Sequence, residues 1–446
     1  MQQIWKLLSF INYPIRNGLL AAAFAVMLVS CGGGGVPHWI GTKLMGVAGH
    51  DTYGISVATD ASGNVYVAGL TNGGLDGNTL TGNYDFFVTK YNSSGVKQYT
   101  RQLGVAEQDT FGRSVATDAN GNVYVSGSTR GDLDGNTRIG TTDFFFTKYN
   151  SSGVKQYTRQ LGVAGEDTDG YSVAIDANGN VYVAGYTTGG LDGNTLSGIR
   201  DFFVTKYNSS GVKQYTRQMG VAGEHTNSSS LAIDASGNVY VVGTTRGDLD
   251  GNTQTGTYDF FVTKYNGSGV KQYTRQMGVT GASTIGYSVA IDANGNVYVA
   301  GYTYGGLDGN TLTGTRDSFV TKYNSSGVKQ YTRQLGVAGK ITEGASVATD
   351  ANGNVYVSGS TRGGLDGNTQ TGTADFFDTK YDSSGVKQYS RQLGVAGQDT
   401  SGYSVATDAS GNVYVAGHTD GGLDGHALTG TRDFFVTKYD SSGVKQ

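Results

Sequence analysis

The side chains best placed by type and spacing to do chemistry are carboxylates. "LDGN" or its variant recurs along the chain, placing Asp76, Asp134, Asp192, Asp250, Asp308, Asp366 and Asp424 in equivalent surroundings. Aspartate, asparagine and backbone oxygens are the hard ligands of Ca²⁺, the one metal these Asp-Gly-Asn loops would suit, but Ca²⁺ needs about six to eight oxygens. Asp76-x-Asn78, with Asp85 further on, offers few carboxylates per loop, and Asp-Gly is ordinary turn chemistry. The expectation is therefore no resident metal or cofactor. The histidines His38, His50, His225, His418 and His426 fall in different segments without zinc-ligand spacing. Glu166, Glu224, His225, Lys340 and Glu343 could supply acid, base and electrostatic roles to a hydrolase or lyase. No nucleophile elbow or paired-carboxylate motif accompanies them, so the expectation is not an enzyme.

These residues sit in a repeat. "TDASGNVYVAG" starts at Thr59, with counterparts at Thr117, Ile175, Ile233, Ile291, Thr349 and Thr407, a step of 58 residues each time. Seven whole units fill residues 41–446. A fixed period of this length must be read before any single element. In one unit, "YSVAIDA" and "NVYVAGYT" flank "DANGN", whose Asn-Gly signals a tight hairpin. A glycine-rich link leads to "DFFVTKYN" and "VKQYTRQMG", joined by "NSSG". Helical periodicity is absent. Phe202 and Val204 point to one side of their strand, Phe203 and Tyr207 to the other, which suits a sheet packed between two neighbours. The reading is all-β: a seven-bladed β-propeller with four antiparallel strands per blade. "SSGVKQ" (441–446) followed by "GTKLMG" (41–46) rebuilds "SSGVKQYTRQLG", so the N-terminal strand is expected to complete the last blade and close the ring. An open solenoid would instead need polar caps.

The unit "GNVYVAGxT … DFFVTKYxSSG … YTRQLG" resembles the bacterial β-propeller repeat family (SBBP). The resemblance covers residues 41–446 and implies the fold and frequent occurrence in lipoproteins and surface proteins, without a catalytic signature to carry over.

Residues 1–30 contain Lys6, Arg16 and the apolar run "GLLAAAFAVMLVS", the length of a signal h-region rather than a membrane span. "LVSC" resembles the bacterial lipobox, which makes Cys31, the sole cysteine, the expected lipidation site. Residues 31–40 then form a lipidated cysteine and Gly-rich tether. Gly32 in place of an inner-membrane retention aspartate points to an exported protein anchored to the outer membrane. The formal charge of −4 becomes −6 once Lys6 and Arg16 leave with the signal, and no basic cluster is present, which argues against nucleic acid as a partner.

Comparing the seven copies locates their differences. The tight hairpins vary little. Two other links vary: the one entering each first strand ("HDTYGI" 50–55, "QDTFGR" 108–113, "EDTDGY" 166–171 and so on) and the long link between the second and third strands. Up-and-down strand order sends both to one face of the disc. That face is the candidate binding surface, with Asp51, Glu107, Asp109, Arg130, Glu166, Asp167, Glu224, His225, Arg246, Tyr304, Lys340, Glu343, Arg362 and Asp399 on it. Variation also concentrates in surface loops generally. The expected function is an envelope-anchored interaction scaffold whose partner is an envelope or host protein or a glycan; the alternatives are the enzyme above and a structural surface protein. Two strand positions break the pattern: Ser318 replaces the first Phe of "DFF", and Asp378, standing where five copies have Val, is expected near an accessible edge because a buried carboxylate is costly.

Overall fold

The computed structural model describes residues 39–446, so the signal, Cys31 and most of the tether lie outside the described residues. Blade 1 consists of β2 (Thr52–Thr59), β3 (Val65–Thr71), β4 (Asp85–Tyr91) and β5 (Lys97–Leu103), paired antiparallel in that order. The pattern recurs in five more blades. The seventh holds Thr400–Thr407, Val413–Thr419 and Asp433–Tyr439 from the C-terminal end, and its fourth, outermost strand is β1 (Thr42–Met45). β1 pairs antiparallel with Asp433–Tyr439, Thr42 opposite Thr437 and Met45 opposite Phe434. The ring closes as the sequence offset requires.

Local chemistry explains why the hairpins are constant. Asp60 accepts hydrogen bonds from the Ser62 and Asn64 amides, from Asn64 Nδ2 and from the Tyr66 hydroxyl. Partial burial opposes its charge, and the bonds from Asn64 and Tyr66 outweigh that, holding its carboxyl below the usual range. Gly63, at φ +73°, supplies the left-handed residue this turn needs. The same set recurs at Asp118, Asp176, Asp234, Asp292, Asp350 and Asp408. The long links are held equally firmly. Asp85, fully buried, accepts from the Thr81 and Gly82 amides at 2.8 Å and from Gln102 Nε2 at 3.0 Å.

The core is seven inter-blade layers. Phe202 and Val204 pack with Val239 and Phe261 of the next blade, while Phe203 and Tyr207 pack with Phe144 and Phe146 of the preceding one. The first Phe of each "DFF" stacks on the second Phe of the following blade, as Phe86 does on Phe145 with centroids 5.0 Å apart and Phe434 on Phe87 at 5.2 Å. Six seams carry such a pair, each worth roughly 0.5–1.5 kcal/mol beyond its buried area. The seam between blades 5 and 6 has none, because Ser318 stands where the Phe would be. Arginine adds a second tie. Arg101 Nε donates to the Gly153 carbonyl of the next blade at 2.7 Å, and five more seams repeat the bond.

The closing seam is built differently. Lys43 takes the position of that arginine and donates to its own Ile40 carbonyl. Trp39, which the sequence reading leaves in the tether, is instead 3% exposed and belongs to the ring. Its indole lies edge-on to Tyr91 and Tyr414, 5.8 and 5.5 Å away, and covers Gly95 so closely that a Cβ there would stand 2.9 Å from the ring. Tyr99 covers Gly153 in the same way at the next seam.

Asp378 corrects the second sequence expectation. It is not at an accessible edge but fully buried in the third strand of blade 6, between that blade and blade 7. The third strand of four is covered on both faces, so no edge is available to it. Burial pushes its carboxyl up to about 7, against the pull of the Tyr389 hydroxyl and of the Arg391 and Lys380 charges. The Tyr389 hydroxyl lies beside it, and neither carboxyl oxygen makes a well-formed hydrogen bond.

Candidate functional site

Each innermost strand contains a β-bulge. In blade 1, Gly54 pairs with Gly69 and Ser56 with Ala68, which leaves Ile55 without a ladder partner. The same shift recurs in every blade. A bulge bends its strand and re-aims the extra side chain. The extra residues are Ile55, Arg113, Tyr171, Ser229, Tyr287, Ala345 and Tyr403, one per blade, and all seven line a single central cavity of about 500 Å³. The channel wall is therefore made of positions in which the copies differ.

Around it, further variable positions form the mouth. The residue before each bulge glycine faces one near the end of the second strand: Asp169 is opposite Tyr186, Ile285 opposite Tyr302, Glu343 opposite Ser360, and Ser401 opposite His418. The residue preceding each "DFF" joins them. Arg200 lies 4.5 Å over the Tyr186 ring, Arg316 lies 5.1 and 4.8 Å over Tyr302 and Tyr304, and Arg432 lies 4.9 Å over Tyr53. His418, 5% exposed between Tyr53 and Tyr403, has its pKa lowered to about 4 by burial and by the Arg432 charge, so it is neutral at physiological pH. The mouth is thus a set of arginine–tyrosine stacks around a polar opening, suited to gripping planar or ring-shaped groups.

The residues singled out from sequence divide between this mouth and the outer rim. Glu343 lines the central cavity and pairs with Arg316. Arg130, paired with Asp109 at 3.1 Å, and Asp167 line a side cleft between blades 2 and 3. Asp51 and Asp399 accept from the Thr431 and Thr373 hydroxyls, and Glu166 accepts from Thr188. Arg246 covers Tyr258 at 4.3 Å. Glu107 occupies an exposed turn at φ +61°, and Lys340 and Arg362 are exposed. Glu224 offers its carbonyl to the Ile199 amide, and the His225 pKa is lowered by burial and by Arg200 and Arg246. The five residues considered for catalysis are spread over blades 3 to 6 and the links before them; of these, Glu343 alone lines the central cavity. The bulge residues and the Tyr186, Tyr302 and Arg316 positions escaped the sequence reading, although their variation between copies was visible in it.

Each Asp-Gly-Asn loop is tied back to its own blade. Asp76 pairs with Lys97, and each of its six counterparts with the equivalent lysine. Asn78 Nδ2 donates to the Leu75 carbonyl. Among the described residues no three His, Cys, Asp or Glu side chains converge as metal ligands would.

A regulatory protein, FlaEY of Caulobacter vibrioides, is 27% identical over 380 residues, covering 73% of this chain; the chain spans 38% of that relative's length. Among solved structures, a chain of the mitotic checkpoint complex (TM-score 0.49, 15% identity, covering 91% of this chain and 96% of that one) and the WD40 propeller domain of Doa1 (TM-score 0.49, 10% identity, 89% and 96%) are similar to it. The family model described as "Beta-propeller repeat" (SBBP) matches seven times, at residues 40–76, 98–134, 156–192, 214–250, 272–308, 330–366 and 388–424, together more than half of the chain. With one match for each of the seven sheets, the chain belongs to the SBBP β-propeller repeat family.

Proposed function

We propose that the protein is a binding module that works through the channel mouth on its variable face. One observation carries this reading: among blades that are otherwise near-copies, a bulge aims one residue per blade into a single cavity, and that residue differs between blades. Drift confined to surface loops would not by itself account for the differing residues that wall the axis. The relative named as a regulatory protein supports an interaction role. The test is capture from envelope and host-surface extracts by the natural ring and by a ring whose seven entry segments all read "QDTSGY". Partners retained only by the natural ring are expected; equal capture by both would end the reading.

Cys31 and the lipobox-like "LVSC" support a further part of the proposal, that the module is exported and lipid-anchored at the outer membrane. Cells fed a labelled fatty acid should label the natural chain and not Cys31→Ser. Label in both, or in neither, would rule the anchor out.

A further inference from the structure

Arg113 is unlike three other arginines at the mouth. Arg130, Arg316 and Arg432 have carboxylate partners in Asp109, Glu343 and Asp420. Arg113 has none among the described residues; it is held between the Phe111 and Tyr171 rings, 5.5 and 5.1 Å from their centroids, and its Nε is buried without a hydrogen-bond partner. It lines both the central cavity and the adjoining side cleft of about 220 Å³ between blades 2 and 3. In that cleft Ser128 is 1% exposed, and its Oγ also lacks a partner. Asp167 and Asp169 line the opposite side. A desolvated guanidinium edge and a buried hydroxyl left unpaired are both costly unless something completes them.

We propose that this junction binds the carboxylated sugar unit of an acidic glycan, a uronate, with its carboxylate on Arg113. The proposal rests on the binding reading above and names its ligand class. Four features have to be met together: a fixed fork that pairs best with a planar carboxylate, two carboxylates that accept from hydroxyls, an unpaired serine hydroxyl, and the flat face of Tyr171 beside them. A sugar acid presents one carboxylate, several hydroxyl donors and a C–H face on a single ring. A simple anion would leave Asp167 and Asp169 opposing it. The cleft has room for one ring, and the central cavity, walled by Tyr171, Tyr287 and Tyr403, has room for the units that follow.

The test is calorimetric titration of the intact ring with oligomers of galacturonate, glucuronate and mannuronate, and with neutral galactose oligomers as control. The natural ring is expected to bind at least one uronate and to bind the neutral oligomers more weakly. Arg113→Ala should lower uronate affinity by about ten- to a hundred-fold, the range for a lost charged hydrogen bond, and Arg113→Lys should restore only part of it. Ser128→Ala, a smaller change, guards against a misfolded variant and should weaken binding by a few-fold. An absence of binding to every uronate at millimolar concentration, or equal binding by Arg113→Ala with its fold intact, overturns the inference. If extract partners still distinguish the natural from the uniform ring in that case, the binding reading survives without it.

Discussion

Replacing Asp378 by valine, the residue of five other copies, stabilises the ring, and the gain depends on pH. The folded carboxyl titrates at about 7 against 3.8 for an ordinary aspartate, so the native protein binds a proton more tightly than the unfolded chain. The stability that comes with this proton is complete below about pH 4 and is lost as pH rises through 7, with a limiting slope of about 1.4 kcal/mol per pH unit. Above that range the native state holds an ionised carboxylate, with no well-formed hydrogen bond, inside an apolar layer of Tyr356, Phe376, Val413 and Phe435. Asp378→Val should therefore be more stable than the parent by about 2–4 kcal/mol at pH 8, and the difference should shrink toward pH 4. Denaturant midpoints of both chains across this range decide the matter. Parallel profiles would mean that Asp378 is solvated or paired in solution.

Removing residues 1–46 takes away β1 and Trp39, and it should cost more than any single substitution outside the core. The edge of Asp433–Tyr439 then loses four paired residues, and the indole that covers Gly95, Tyr91 and Tyr414 is gone. Loss of a buried Trp alone costs about 3–5 kcal/mol, and an unpaired edge invites pairing with another chain. The expected result is a melting temperature lower by roughly 10 °C or more, together with concentration-dependent oligomers. A synthetic peptide spanning residues 38–47, added in excess, should restore the monomer. A truncated chain that stays monomeric with unchanged melting would show that the other seams hold the ring by themselves.

The repeat was legible because its turns are chemically fixed. Asp60, Gly63 and Asn64 admit one hairpin, and seven equal steps leave few architectures that bury both faces of a strand. The closing strand was legible too, since "GTKLMG" completes what "SSGVKQ" leaves open. The channel wall was not. Its residues lie beside a glycine, and a bulge between Gly54 and Ser56 breaks the alternation that marks a strand, so "HDTYGI" reads as a loop. Asp378 was misplaced for the converse reason: the usual cost of burying a carboxylate argued for solvent, while its strand position leaves none. The lysine that pairs with each Asp-Gly-Asn loop lies about twenty residues downstream, and pairing over that distance depends on register rather than on motif.

The seat of Trp39 also fixes the direction of approach. Gly95 belongs to the "NSSG" hairpin, on the constant side of the disc, so the polypeptide enters the ring at the face opposite the channel mouth. Trp39 and the channel mouth thus fall on opposite faces of the ring, so β1 closes the last blade without crossing the face where the copies differ.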